Sequence, residues 1–222
     1  MEGLRKITEG KTTLLGFVGS PWTLSAYCVE KGGTKDCRNF KKMMYEEPEM
    51  AKELIDKMAV MAGDYAAHQV DCGAQVIQVF ESWAHHMSPK DFEEFAKPAA
   101  KKTIEIIKSK CPGTPVIFFA NGGSAYLDLQ KDMGGDMVCV DWQVDMAVAR
   151  DTLGKDIPIS GNVDPGVLFG TEQQIRDAVR ECVEKAGGPG VKHVMNLGHG
   201  VRQGTPEMAV EWLVEESKKI TK

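Results

Sequence analysis

Six short apolar runs, each leaving through a glycine or a polar residue and each followed by a stretch with helical periodicity, limit what this chain can fold into. The runs cover residues 13–18, 74–80, 115–120, 137–140 and 157–160, and a last one begins at His193. Strands this short and this continuously apolar are buried on both faces. Alternating with amphipathic helices, they make a parallel sheet covered by helices. That leaves an open doubly wound sheet or a (β/α)8 barrel. Six units fall short of the eight in a closed barrel, and no GxGxxG follows the first run to support a dinucleotide-binding sheet.

Between the runs the spacing predicts helices from near Trp22 to the Gly32-Gly33 pair, then over 48–70, 89–110 with a kink at Pro98, 126–131, 145–153 and 171–186. In the second of these Met50, Leu54, Met58, Met61 and Tyr65 form the apolar stripe. A final helix after Thr205-Pro206 buries Ala209, Trp212, Leu213 and Ile220. The few charged residues that follow Met1 lead almost at once into the first strand. Gly187 to Gly190 precedes a strand, so it is a turn, because a phosphate loop follows one. No repeat, linker or composition break divides the chain, and 1–222 reads as a single domain.

A net charge of −5 argues against a nucleic-acid partner, which needs a basic stripe. No apolar run approaches the roughly 20 residues that cross a bilayer, so no membrane role is expected. The six cysteines form no CxxC pair and read as reduced, buried thiols of an intracellular compartment. Neither a signal peptide nor a transit peptide is visible at the start.

Candidate chemistry sits at the strand exits: Gly19-Ser20, Glu81-Ser82, Asn121, Asp141-Trp142, Asn162 to Asp164, and Asn196 to His199. Polar exits on every strand fit one ligand-lined mouth at the carboxyl ends. His199 stands between two glycines in a turn that leaves its imidazole facing outward, able to give or take a proton near neutral pH. His85-His86 invites a metal reading, but adjacent side chains seldom converge on one ion and no third ligand stands at metal spacing, so no metal is expected. Lys41-Lys42, Lys101-Lys102 and Lys218-Lys219 read as exposed helix faces.

Residues 17–33, Phe17 through Ser20-Pro21-Trp22 and Tyr27 to Gly33, resemble the glycine-proline segment of uroporphyrinogen decarboxylases. Gln78-Val-Phe-Glu-Ser82, Asp141-Trp142, Gly161-Asn-Val-Asp-Pro165 and Asn196-Leu-Gly-His-Gly200 are similar in the same order, and residues 161–170 and 204–207 lean towards the plastid and cyanobacterial branch. The resemblance implies a (β/α)8 TIM barrel, here incomplete with about six of eight βα units, and usually a homodimer. It implies a carboxy-lyase that converts the four acetate side chains of uroporphyrinogen III to methyls, giving coproporphyrinogen III for haem and chlorophyll, with no cofactor. It places Tyr27, Ser82 and His199 in the substrate pocket, and it implies a chloroplast location, with the cytoplasm as the alternative.

Each of the three has a plainer reading. Tyr27 packs as an amphipathic core residue, Ser82 caps the next turn, and His199 bonds a backbone carbonyl. The family's arginine-rich segment and its early strand-end aspartate are not found in 1–222. Both are expected upstream of Met1, so no catalytic residue is named within the chain. That implies a protein lacking its N-terminal portion, with weak substrate binding and little turnover. Arg202 stands in part for that clamp or is a solvated turn residue. Two further readings remain: a zinc-dependent methyltransferase of the related barrels, although the exits at Asn121 to Gly123 and at His199 lack a cysteine partner, and a non-catalytic dimerising remnant with exposed, aggregation-prone edge strands.

Overall fold

The computed structural model describes residues 2–8 and 10–220. Met1, upstream of which the family's arginines and aspartate are expected, lies outside the described residues. The chain falls into two compact units, one of residues 1–121 with 132–136, the other of 122–131 with 137–222.

The first unit opens with α1 (Glu2–Thr8) and then holds β1 (Leu15–Gly19), α2 (Pro21–Glu30), α3 (Arg38–Glu46), α4 (Pro48–Asp71), β2 (Val76–Glu81), α5 (Pro89–Asp91), α6 (Lys97–Lys110) and β3 (Val116–Ala120). β1 pairs in parallel with β2, Leu15 opposite Val76, and β2 with β3, Ile77 opposite Val116. The second unit holds β4 (Met137–Cys139), α7 (Met146–Leu153), β5 (Ile159–Val163), α8 (Glu172–Lys185), β6 (His193–Leu197) and α9 (Glu207–Ile220). Here β4 pairs in parallel with β5 and β5 with β6. The six expected strands are therefore present, and parallel pairing within each unit follows from the helical crossovers.

Several expectations need correcting. α1 and α3 were not foreseen: α1 occupies the charged stretch that was expected to lead from Met1 straight into a strand, and α3 hides between the Gly32-Gly33 break and Pro48. α2 already ends at Glu30, where Lys31 takes the left-handed conformation. α4 turns its expected stripe outward, with Met50, Met61 and Tyr65 at least half exposed, and buries Ala51, Ala59, Ala62, Gly63 and Ala66 around Ile55. Alanine and glycine let α6 approach closely: a Cβ on Gly63 would lie 2.6 Å from Ile106 Cγ2. The disturbance near Pro98 is a π-turn over Phe92–Ala96 leading into α6, placed where the proline cannot donate to the preceding turn. Residues 126–131 form 3-10 turns, Gly123–Tyr126 and Asp128–Gln130, where one helix was expected. β5 runs on through Gly161, Asn162 and Val163, which were expected to lie in its exit. All six cysteines are free, but Cys28 is exposed and Cys72 only partly buried.

The core of the first unit gathers Trp22, Phe40, Met44, Ile77, Phe92 and Phe118, with Trp22 Nε1 donating to Met44 Sδ at 3.3 Å. In the second, Val138, Ile159, Leu168, Ile175 and Leu213 pack together. Arg150, almost fully buried, ties loop ends there by donating to the carbonyls of Gly154, Ile157, Ala186 and Lys192. On α9, Ala209 and Leu213 are buried as expected, and so is Glu216, whose carboxylate meets Arg176 and Arg180 of α8.

The outer edge of β1 is partly sealed by a side chain. Gln69 of α4 accepts from Phe17 N at 3.1 Å and donates to Phe17 O at 2.9 Å, doing for one residue what a neighbouring strand would do. Replacing Gln69 with leucine strands both backbone groups. Chemical unfolding should show a loss of about 1–3 kcal/mol, and size-exclusion chromatography should show increased self-association.

Candidate active site

β2 is apolar apart from Gln78 until its last residue. That residue, Glu81, has no exposed surface. Its Oε1 accepts from Thr23 N at 3.1 Å and from the Thr23 hydroxyl, which in turn accepts from Trp83 N at 3.2 Å. The Ser20 hydroxyl faces the carboxyl without closing a well-formed bond, and Oε2 is left without a partner. Burial raises the Glu81 pKa to about 7, with the Ser20 and Thr23 hydroxyls and the Thr23 N–H pulling the other way.

This clamp joins the carboxyl end of β2 to the first turn of α2, and two of the expected site residues flank it. Ser82 directly follows Glu81, and Tyr27 lies one helical turn beyond Thr23 with its ring 4.0 Å from that of Trp83. Ser82 is half-buried, and its carbonyl accepts from Asn121 Nδ2 at 3.0 Å. It does not cap the following turn: Trp83 is the N-cap of the 3-10 turn Ala84–His86, with no side-chain bond. Tyr27 is 40% exposed although its ring packs on Trp83. His85 and His86 stack with ring centres 4.1 Å apart, and Asn121 Nδ2 lies 3.3 Å from His85 Nδ1. Burial, helped by His85 and Lys41, holds the His86 pKa below its usual value.

His199 lies in the second unit. Its turn is fixed by backbone packing: Gly198 N donates to Val163 O at 2.9 Å, and a side chain on Gly198 would overlap the backbone of Trp142. Gly200 N donates to His199 Nδ1 at 2.7 Å, so in the neutral ring the proton sits on Nε2. His199 is exposed. The other histidine of this strand, His193, is structural, with Nε2 2.7 Å from Gly161 O and a pKa lowered by burial. Asp141 accepts from Gly122 N at 2.5 Å and Gln143 N at 2.7 Å, and Asn162 Nδ2 donates to the carbonyls of Asp141 and Val144. These two polar exit residues therefore hold the loops. Arg202 lies 5.9 Å from the Trp142 ring and 3.7 Å from Asp164, so it is engaged at this exit.

Concavities lie between the helices, one of them lined also by Trp142, Asn162 and Asp164 at the exits of the second unit. A groove of about 700 Å³ runs between α4 and α6, its charges matched as Lys52–Glu94 and Lys102–Asp56. A cavity of about 560 Å³ lies between α7 and α8, where Lys185 is held at 2.7 Å by both Asp145 and Glu181. Among the described residues no three His, Cys, Asp or Glu side chains converge as a metal site, and no helix is long and apolar enough to cross a membrane.

The profile of the family described as Uroporphyrinogen decarboxylase (URO-D) matches residues 1–220. The chain belongs to the uroporphyrinogen decarboxylase family. It is 43% identical over 221 residues to the uroporphyrinogen decarboxylase of Microcystis aeruginosa, covering all of this chain and 63% of that one. It is 44% identical over 217 residues to that of Synechocystis, covering 98% and 61%. It is also 44% identical to "Uroporphyrinogen decarboxylase 2, chloroplastic" of rice, covering 98% and 55%. The chain thus spans about three-fifths of the length of the cyanobacterial relatives.

Among solved structures, a methyltransferase from Methanosarcina mazei superposes with a TM-score of 0.85 at 20% identity, covering 98% of this chain and 62% of that one. A B12-independent methionine synthase from Shewanella gives 0.70 at 10% identity, covering 99% and 64%. These likenesses concern the fold alone. The fold class is α/β, an incomplete (β/α)8 barrel by its count of six strand–helix units.

Thr23 and Trp83 were not singled out from the sequence, and Glu81 was read only as one of the polar strand exits. The available signal was a glutamate closing a largely apolar strand, a residue type rarely buried without a partner.

Because the folded-state pKa of Glu81 lies above its unfolded value, its contribution is complete below about 4.5 and is lost as pH rises towards about 7. Urea unfolding across that window should lose about 3 kcal/mol from this group, and Glu81→Gln should flatten the profile. Gly198→Ala should destabilise the second unit by about 2 kcal/mol or more, read as a lower thermal midpoint, since its Cβ meets backbone that cannot rotate away.

Proposed function

We propose that this chain acts in removing CO2 from the four acetate side chains of uroporphyrinogen III, giving coproporphyrinogen III for haem and chlorophyll synthesis. The observation that carries the reading is the family match over residues 1–220. An exposed Tyr27 and a half-buried Ser82, brought to one strand end, add to it.

The chemistry asks little of the protein beyond charge placement. Protonation of a pyrrole ring makes it an electron sink. The bond from the acetate methylene to its carboxylate then breaks, CO2 leaves, and the electron pair moves into the ring. A proton delivered to the methylene carbon completes the methyl, and loss of the proton first added to the ring restores the pyrrole. The substrate serves as its own cofactor, so neither metal nor organic cofactor is invoked. The Tyr27 phenol and the Ser82 hydroxyl would donate to substrate carboxylates, and His199 would present its Nε2–H to a propionate or relay a proton. Such donors act by being held ready before charge develops.

We further propose that 1–222 forms one family domain, that it works as a homodimer, and that it belongs to a plastid. The last point is supported by the cyanobacterial relatives and by the chloroplastic rice protein.

The test is incubation with uroporphyrinogen III, with products separated by carboxylate number after oxidation, alongside titration with uroporphyrin I. Tyr27→Phe, Ser82→Ala and His199→Ala should each weaken binding by about tenfold, the worth of one charge-assisted hydrogen bond. Binding unchanged in all three variants would remove these residues from the site.

A further inference from the structure

We propose that Thr23 and Glu81 are a positioning pair that sets the Ser82 hydroxyl and the Tyr27 phenol against one substrate carboxylate, an inference that rests on the function proposed above.

The pair works through a directed chain of hydrogen bonds. Trp83 N–H donates to Thr23 Oγ1 at 3.2 Å, and the Thr23 hydroxyl spends its single proton on Glu81 Oε1. Thr23 N–H reaches the same oxygen at 3.1 Å. One hydroxyl therefore spans both sides of Ser82, since Glu81 precedes that residue and Trp83 follows it. Its direction is fixed by backbone anchored before and after, and its carbonyl is held by Asn121 Nδ2 at 3.0 Å. Tyr27 is four residues beyond Thr23 on α2, on the same helical face, and its ring rests on Trp83 at 4.0 Å. Moving Thr23 moves the two donors relative to each other.

A second observation points the same way. Glu81 Oε2 and Ser20 Oγ face each other, buried and without a closed hydrogen bond among the described residues. A leucine at position 81 would bury more cheaply than a carboxyl with one unmatched oxygen. Such a residue at a strand end beside the proposed donors fits a group kept for placement, since local rules are broken most often at functional sites.

The experiment uses the full 222-residue chain. Binding is read by fluorescence titration with uroporphyrin I, an octacarboxylate, and placement by 19F NMR of 3-fluorotyrosine at position 27, whose shift senses the Trp83 ring. Thr23→Val keeps the shape but can neither donate nor accept. It should shift the 19F signal and weaken binding about tenfold. Thr23→Ser should restore both to within about twofold.

Ser82→Ala should cost about tenfold in the parent and little more in the Thr23→Val background, because the donor is already misplaced. Losses that simply multiply, or an unmoved 19F signal in Thr23→Val, overturn the positioning role. If the parent does not bind the porphyrin, and Ser82→Ala and Tyr27→Phe change nothing, the proposed function fails while the 19F comparison still decides whether the pair sets Tyr27. Should Thr23→Val not fold, Thr23→Ala carries the same comparison without a methyl pressed against the carboxyl.

Discussion

A carboxyl group with no exposed surface holds the end of β2 to the start of α2. Glu81 has no basic partner among the groups that shift it, only hydroxyls and one backbone N–H. Such a group stays in a fold by keeping its proton and accepting from neighbours that are themselves fixed. The consequence is local order: Ser20, Thr23, Tyr27, Ser82 and Trp83 come from two chain segments some sixty residues apart, and this contact brings them to one place. Parallel strands favour the arrangement, because each crossover helix returns the chain to the same edge and all strand exits of a unit face one way.

Around that clamp the packing depends on small residues and on polar side chains that replace backbone partners. α4 lies close to α6 because alanines and Gly63 fill its inner face. Gln69 pairs with Phe17 as a strand would, and in the second unit Arg150 gathers carbonyls that the loops leave unsatisfied. Each of these side chains stands in for missing secondary structure, and buried backbone groups must find a partner of some kind.

Much of this was legible in the sequence. The six strands follow from short apolar runs with polar exits, and Thr171 and Asp145 cap helices where an amphipathic pattern begins. The stripe on α4 was misread for a physical reason. Periodicity shows which residues share a face but not whether the neighbouring helix is near enough to demand alanine or far enough to admit methionine. The same limit applies to Glu216, whose burial depends on Arg176 and Arg180 forty and thirty-six residues away.

The sequence by itself determined the six strands, the family, and the residue types at each strand end, because these depend on local periodicity and on motifs that are contiguous in the chain. Only the tertiary structure decided which polar exits hold loops and which remain open. Asp141 and Asn162 are buried and bonded to backbone, whereas Tyr27 and His199 lie at the surface. The difference is set by what packs against each side chain, and hydrogen-bond partners distant in sequence leave no trace in the local pattern.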